Sequence, residues 1–322
     1  MKKLAPAFLF TVILFCTTNT YAKIWRVNNT AGVNANYTSA QTALDAVTTL
    51  AGDTLHIEPS ASGYGALSVT KPIVLIGNGY FLTEDTGLQV NSTETSSFSY
   101  VSFGPGSSGS CIQGISMGNL YLSTNNILAR RNYISSYVYM YAGADNITLL
   151  DNFMVGISEQ SSPFTGLNMS NNILSGCILS LSSAVSNITF ENNTCINGYV
   201  QLYNAQINNN IFYNTSFAPY NSVYFNNIGS STQFGTANGN QQNVTMVNNV
   251  FVASGTTDSQ YMLKAGSPAI GAGFGGVDCG AFGGPNPYRL GGIPNVPTIY
   301  KLTVPPTGTT NINVTISTRS NN

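Results

Sequence analysis

Apolar positions between residues 119 and 250 keep step with pairs of asparagines. Segments 146–152, 187–193 and 243–249 share one pattern: Asn, a β-branched residue, Thr, an apolar residue, a variable residue, a polar residue, Asn. Leu149, Met169, Phe190, Ile207, Tyr224 and Met246 precede the second asparagine of a pair by three places, and Ile147, Leu167, Ile188 and Val244 by five. Such alternation turns one set of side chains to one face of a strand. The second asparagines, Asn132, Asn152, Asn172, Asn193, Asn210, Asn227 and Asn249, follow at steps of 17 to 22 residues, a period that marks a stacked solenoid. The pattern predicts an all-β, single-stranded, right-handed parallel β-helix with three short strands per turn, its turns roughly 4.8 Å apart. A buried Asn at each corner tolerates left-handed backbone angles, and its amide can bond the equivalent Asn one turn on. Asn126 stands too close to Asn132 for a full turn and belongs to the preceding one.

The ends of the chain read differently. Residues 24–28 suggest a strand. A helix capped by Thr38 or Ser39 is predicted to run to about Leu50, with Ala43, Leu44, Ala46, Val47 and Leu50 at helical spacing. A helix there would cover the open first edge of the solenoid. The loop Ser230–Gln242 is polar and free of charge, and interrupts the repeats. Alternation over Ile299–Val304 and Asn311–Ser317 predicts a β-hairpin that blunts the last edge. The expected division is a signal peptide over 1–22, the β-helix with its cap over 23–290, and a linker with closing hairpin over 291–322.

The signal peptide is expected from Lys2 and Lys3, the apolar run Phe8–Phe15 and the small residues Thr20 and Ala22 at the two positions a signal peptidase reads. A lipoprotein anchor on Cys16 is the alternative, although bulky Phe15 precedes it. No later run is long enough for a transmembrane helix. Losing Lys2 and Lys3 takes the formal charge from −1 to about −3. No basic stripe remains, so nucleic acid is not an expected partner. Charged residues are 7% of the chain, with Asn, Ser, Thr and Gly in their place, which suits neutral extracellular partners such as glycans. Cys111, Cys177, Cys195 and Cys279 form no zinc-like spacing. Buried free thiols are expected, with a Cys177–Cys195 bridge as the alternative.

The segments 42–46, 51–55 and 71–77, the Asn-Asn-apolar repeats, and the closing segments 266–270 and 278–281 together resemble the pectin-lyase-like β-helix superfamily over nearly all of the mature chain. That resemblance implies the fold and export to the outside or cell surface of a gram-negative bacterium. It leaves activity open, because the superfamily mixes lyases, hydrolases, adhesins and other surface proteins.

Its lyases use acidic calcium ligands beside an Arg or Lys base. Stacking the turns sets Arg131 one strand spacing from Asp151, either as base and metal ligand or as an ion pair of modest value. Glu159 and Glu191 complete the catalytic candidates, but no second carboxylate stacks in register with Asp151. Calcium would enter only with a lyase activity; otherwise no metal or cofactor is expected. Glu84, Asp85 and Glu94 read as solvated loop charges. His56 reads as a structural strand residue. Aromatic residues offer the better lead, since outward tyrosines can stack on sugar rings. Counting from the ladder asparagines turns Tyr199 and Tyr203 outward and Tyr137, Tyr139 and Tyr141 inward, unless a bulge reverses the phase. The expected function is a non-catalytic surface scaffold contacting glycan; the alternative is a polysaccharide lyase or glycoside hydrolase.

Overall fold

The computed structural model describes residues 21–90, 93–304 and 312–321. The expected signal peptide, apart from Tyr21 and Ala22, lies outside them, as does Asn311 at the start of the expected hairpin strand. Two parallel sheets of ten and nine strands alternate along the chain, forming a right-handed parallel β-helix of about 9 turns. The alternation read from the sequence sets the register: Leu149 pairs with Ala129 and Met169, Met169 with Phe190, Phe190 with Ile207, and Ile207 with Tyr224. These side chains, apart from half-buried Tyr224, line the apolar core.

Each turn holds two strands, not three. Ile147–Leu150 in the first sheet gives way to Phe153–Glu159 in the second across Asp151 and Asn152 alone. One left-handed residue bends the chain hard enough that no third strand fits between them. That residue is the first of each pair: Arg131, Asp151, Asn171, Asn192, Asn209 and Asn226 all have φ between 52° and 60°. The second residue forms the ladder. The backbone N–H and side-chain Nδ2 of Asn132 both donate to Asn152 Oδ1, at 3.0 Å each, and Asn152, Asn172, Asn193 and Asn210 repeat the arrangement with the next turn. The expectation that one asparagine does both jobs is corrected: strained backbone and buried amide are separated onto neighbours.

The ladder ends on Asn240, whose Oδ1 accepts from Asn227 N and Nδ2 at 2.9 and 3.1 Å. Asn249, expected as the last rung, is exposed. The loop Ser230–Gln242 thus supplies the final rung, because its fold returns an amide to the corner without the apolar phase of a repeat.

The cap helix spans Ala40–Asp45 with Ser39 as N-cap, shorter than expected. Val47 and Leu50 are exposed. Asp53 ends the segment, since its carboxylate accepts from Leu50 N, Lys23 N and the Trp25 indole and fixes the chain as a turn. The C-terminal hairpin, Thr298–Thr303 with Thr315–Arg319, is antiparallel, but it does not blunt the last edge. Ile299 O accepts from Val90 N and Leu88 O from Arg319 Nη2, which places the hairpin beside the first turns. Residues 272–295 form a strap that runs back along the corner to reach it. Asn226 Nδ2 donates to Ala272 O, Asn209 Oδ1 accepts from Phe274 N, Asn192 donates to Asp278 O, Asn171 to Ala281 O and Gly283 O, and Arg131 to Ile293 O. Cys177, Cys195 and Cys279 are buried and, like Cys111, free.

Candidate functional site

Of the catalytic candidates, Arg131 and Asp151 meet as stacking the turns predicts, while Glu159 and Glu191 are bound by other groups. Arg131 Nε lies 3.4 Å from Asp151 Oδ2, and both side chains are buried. Arg131 Nη1 donates to Ile293 O at 3.2 Å and Asn321 O at 2.9 Å, so the strap and the C-terminus close over the pair. Burial pushes the Asp151 carboxyl up to about 7 against the pull of Arg131, and its Oδ1 has no hydrogen-bond partner. Glu159 stands at the opposite end of its strand, roughly 26 Å along an extended chain from Asp151. Its carboxylate accepts from Ser182 N at 2.6 Å and Ser182 Oγ at 2.7 Å. Glu191 accepts from Asn208 and Asn209 amides at 2.9 and 3.3 Å. Asp145 accepts from Thr165 N at the other end of the Ile147–Leu150 strand from Asp151. No two of these carboxylates face each other across a cleft as glycoside hydrolysis needs.

The loop acids bind to protein. Glu84, exposed, accepts from Thr257 N and Oγ1. Asp85 is buried, in contrast to the solvated charge expected there, and accepts from Thr256 Oγ1 at 2.8 Å. Burial and the charge of Asp258 push it up to about 6. These contacts tie the loop after Val74–Ile76 to the turn at 256–258. His56 lines a cavity of about 580 Å³ with Glu58, Asn78, Glu94 and Pro297. Burial lowers its pKa, so the imidazole is neutral near pH 7. The Asp53 carboxylate accepts from Lys23 N, the Trp25 indole and Leu50 N rather than from His56. Among the described residues, no group of three His, Cys, Asp or Glu is placed to hold a metal.

The second sheet presents a different chemistry. Its nine strands contain one charged residue, Glu159. Tyr199 and Tyr203 flank inward Val200 and Leu202 and are half-buried. Tyr199 Oη donates to Gln201 Oε1 at 2.5 Å, and Tyr203 stacks on Tyr220 with centroids 4.6 Å apart and planes at 14°. Tyr137, Tyr139 and Tyr141 also lie outward, against the phase counted from Asn132. Val138 and Met140 take the core positions. The strand Tyr133–Met140 carries one extra residue: Met154 pairs with Ile134, but Gly156 pairs with Tyr137. One bulged residue exchanges the faces of everything after it.

Tyr139 stacks on Tyr121, with centroids 5.0 Å apart and planes at 11°, and Tyr100 meets Tyr121 edge-on. Tyr100, Tyr121 and Tyr220 were absent from the sequence candidates. For Tyr100 and Tyr121 the signal was the inward alternation of Val101 with Phe103 and of Leu120 with Leu122, which leaves these tyrosines on the other face; Tyr220 had no such signal, since residues 217–220 carry no buried alternation. Stacked rings spend faces on each other and offer solvent their edges and hydroxyls. Only the end ring of each stack keeps a free face for a sugar. No model of a known family matches this chain, and comparison with characterised proteins and with solved structures finds no match either.

Proposed function

We propose that the chain is an exported β-helix scaffold of the pectin-lyase-like kind, acting without catalysis at the surface of a gram-negative bacterium and contacting glycan through the second sheet. The observation that carries this is the outward set of tyrosines, Tyr199 and Tyr203 with Tyr137, Tyr139 and Tyr141, on strands almost free of charge. Aromatic rings and hydroxyls there match the apolar faces and polar edges of sugars. The engagement of Arg131, Asp151, Glu159 and Glu191 within the fold supports a non-catalytic role. Native gel electrophoresis through neutral and acidic polysaccharides, with and without calcium, tests the reading. Retardation with no release of reducing or unsaturated ends is the expected result. Product release would overturn the absence of catalysis, and free migration in every gel would overturn the glycan contact.

A further inference from the structure

The tyrosines of the second sheet are not spread evenly. One outward column runs Ser102, Tyr121, Tyr139, Ser158, Ser180, Gln201, Ala218. Beside it run Tyr137, Gly156, Ile178 and Tyr199. Aromatic side chains therefore form two blocks, one ending on the strand Tyr133–Met140 and one beginning on Thr194–Tyr203. The two turns between them contribute Ser158, Ser180, a glycine and Ile178. The strands bearing the two blocks lie three strand spacings apart, roughly 14 Å. Tyr121 covers one face of Tyr139, so the other face looks onto Ser158. Tyr203 lies two residues beyond Gln201 and Tyr220 covers one of its faces, so the other looks back over the end of the gap just past Ser180.

The floor is uncharged, and beside exposed Ile178 it is polar. Ser158 Oγ accepts from Gln160 Nε2 at 2.7 Å, which leaves its own O–H to donate. Ser180 is exposed. Gln201 Oε1 is taken by Tyr199, so the Gln201 amide is held with its N–H groups available to an acceptor. The nearest charge, Glu159, is bound by Ser182 at the end of the strand.

We infer that this gap is the binding site for an uncharged polysaccharide, whose chain lies across the coil, along the strand direction. Ring faces of Tyr139 and Tyr203 flank it, and Ser158, Ser180 and Gln201 meet its hydroxyls. An acidic chain would find no cation on this sheet to offset its desolvation. The inference rests on the glycan-contacting reading and adds to it the ligand's charge class and the place where it lies.

The test measures retardation by mixed-linkage β-glucan and arabinoxylan, as neutral probes, and by polygalacturonate and alginate, as acidic ones. Salt is raised until the screening length falls to about 3 Å. Variants are Tyr139→Ala, Tyr203→Ala and Ser158→Trp, with Tyr300→Ala on the distant hairpin as control, and each is checked for an unchanged urea midpoint. The expected result is a neutral probe bound independently of salt, about fivefold more weakly after loss of either tyrosine. Ser158→Trp, which fills the gap, should abolish binding, and Tyr300→Ala should leave it intact. Neutral binding that tolerates Ser158→Trp overturns the gap while the tyrosine face stands. Salt-sensitive preference for the acidic probes overturns the uncharged class alone. Failure of all four probes to bind takes down the glycan reading as well.

Discussion

A single asparagine was expected to bend the corner and to satisfy it, and the protein divides those tasks between neighbours. The first residue of each pair needs only a left-handed backbone, which Asn and Asp tolerate better than most. Arg131 is the exception, at φ 54°, where a long L side chain costs roughly 1 kcal/mol. Its ion pair with Asp151 is buried with one carboxylate oxygen unpartnered. Buried pairs of this kind are often no better than neutral replacements, whereas loss of one partner costs roughly 3 kcal/mol. Above about pH 7, Arg131→Asn alone should therefore lower stability by about that amount, by stranding the buried Asp151 carboxylate. Arg131→Asn with Asp151→Asn, which continues the run of asparagines, should restore or exceed it. The same pair sets a pH dependence. Asp151 titrates at about 7 in the fold against about 3.9 unfolded, so between these values the folded state holds a proton that the unfolded state has released. Stability from this group is full below about pH 4 and is lost as pH rises toward 7. Asp53 and Glu58 act in the opposite sense and below that window: burial would raise them, but the donors around them hold both below the usual carboxylate range. Urea midpoints across the range should fall with rising pH in the wild type and fall less steeply in the double variant, which keeps the like contribution of Asp85, raised to about 6, and the opposing one of His56, whose pKa burial lowers. An equal slope in both would remove Asp151 as its source.

Strands carry the next level of specification, and the bulges within them decide which side chains reach solvent. In Ile173–Ser180 two residues are added relative to Phe153–Glu159, since Met154 pairs with Leu174 and Gly156 with Ile178. An even insertion preserves the phase, so Cys177 and Leu179 remain inside as the alternation predicts. In Tyr133–Met140 the insertion is odd, and the tyrosines turn out. The sequence gives no mark of this, because the inserted residue lies among Ser135 and Ser136, which fit either face. The coil itself was legible, since its apolar phase recurs on every turn. Glycine shows how tightly the bulged strands approach. A Cβ on Gly198 would fall inside the carbonyl of Cys177 on the neighbouring strand, and backbone on both sides leaves no flexible atom to yield. Gly198→Ala should cost about 1–3 kcal/mol, read as a lower urea midpoint at unchanged slope. A midpoint equal to that of the wild type would show that the two strands stand further apart.

At the scale of the molecule, the strap changes how the coil should unfold. A solenoid is held by contacts between adjacent turns and tends to melt progressively from its ends. Here residues 272–295 run back from the last turns to Arg131 and Gln113, linking turns that otherwise touch only through their neighbours. The strap left no trace in the periodicity, because its carbonyls are met by corner side chains and its Gly- and Pro-rich chain has no phase of its own. Asn171→Gly with Asn192→Gly isolates its contribution. Glycine keeps the left-handed corner and removes the amides that hold Asp278, Gly280, Ala281 and Gly283, together with the long bond from Asn209 Nδ2 to Asn192 Oδ1. Each lost hydrogen bond is worth about 1 kcal/mol, so the strap should open well before the coil. Hydrogen exchange would then show the N–H groups of Tyr288 and Gly291, bonded to Ala281 O and Asp258 Oδ2, released early while the ladder N–H groups of Asn172 and Asn193 stay protected. Calorimetry should show the single transition of the wild type broaden as end turns melt separately. If the variant keeps one sharp transition, and strap and ladder exchange together, the turns are coupled through the core alone and the returning chain is only a cover.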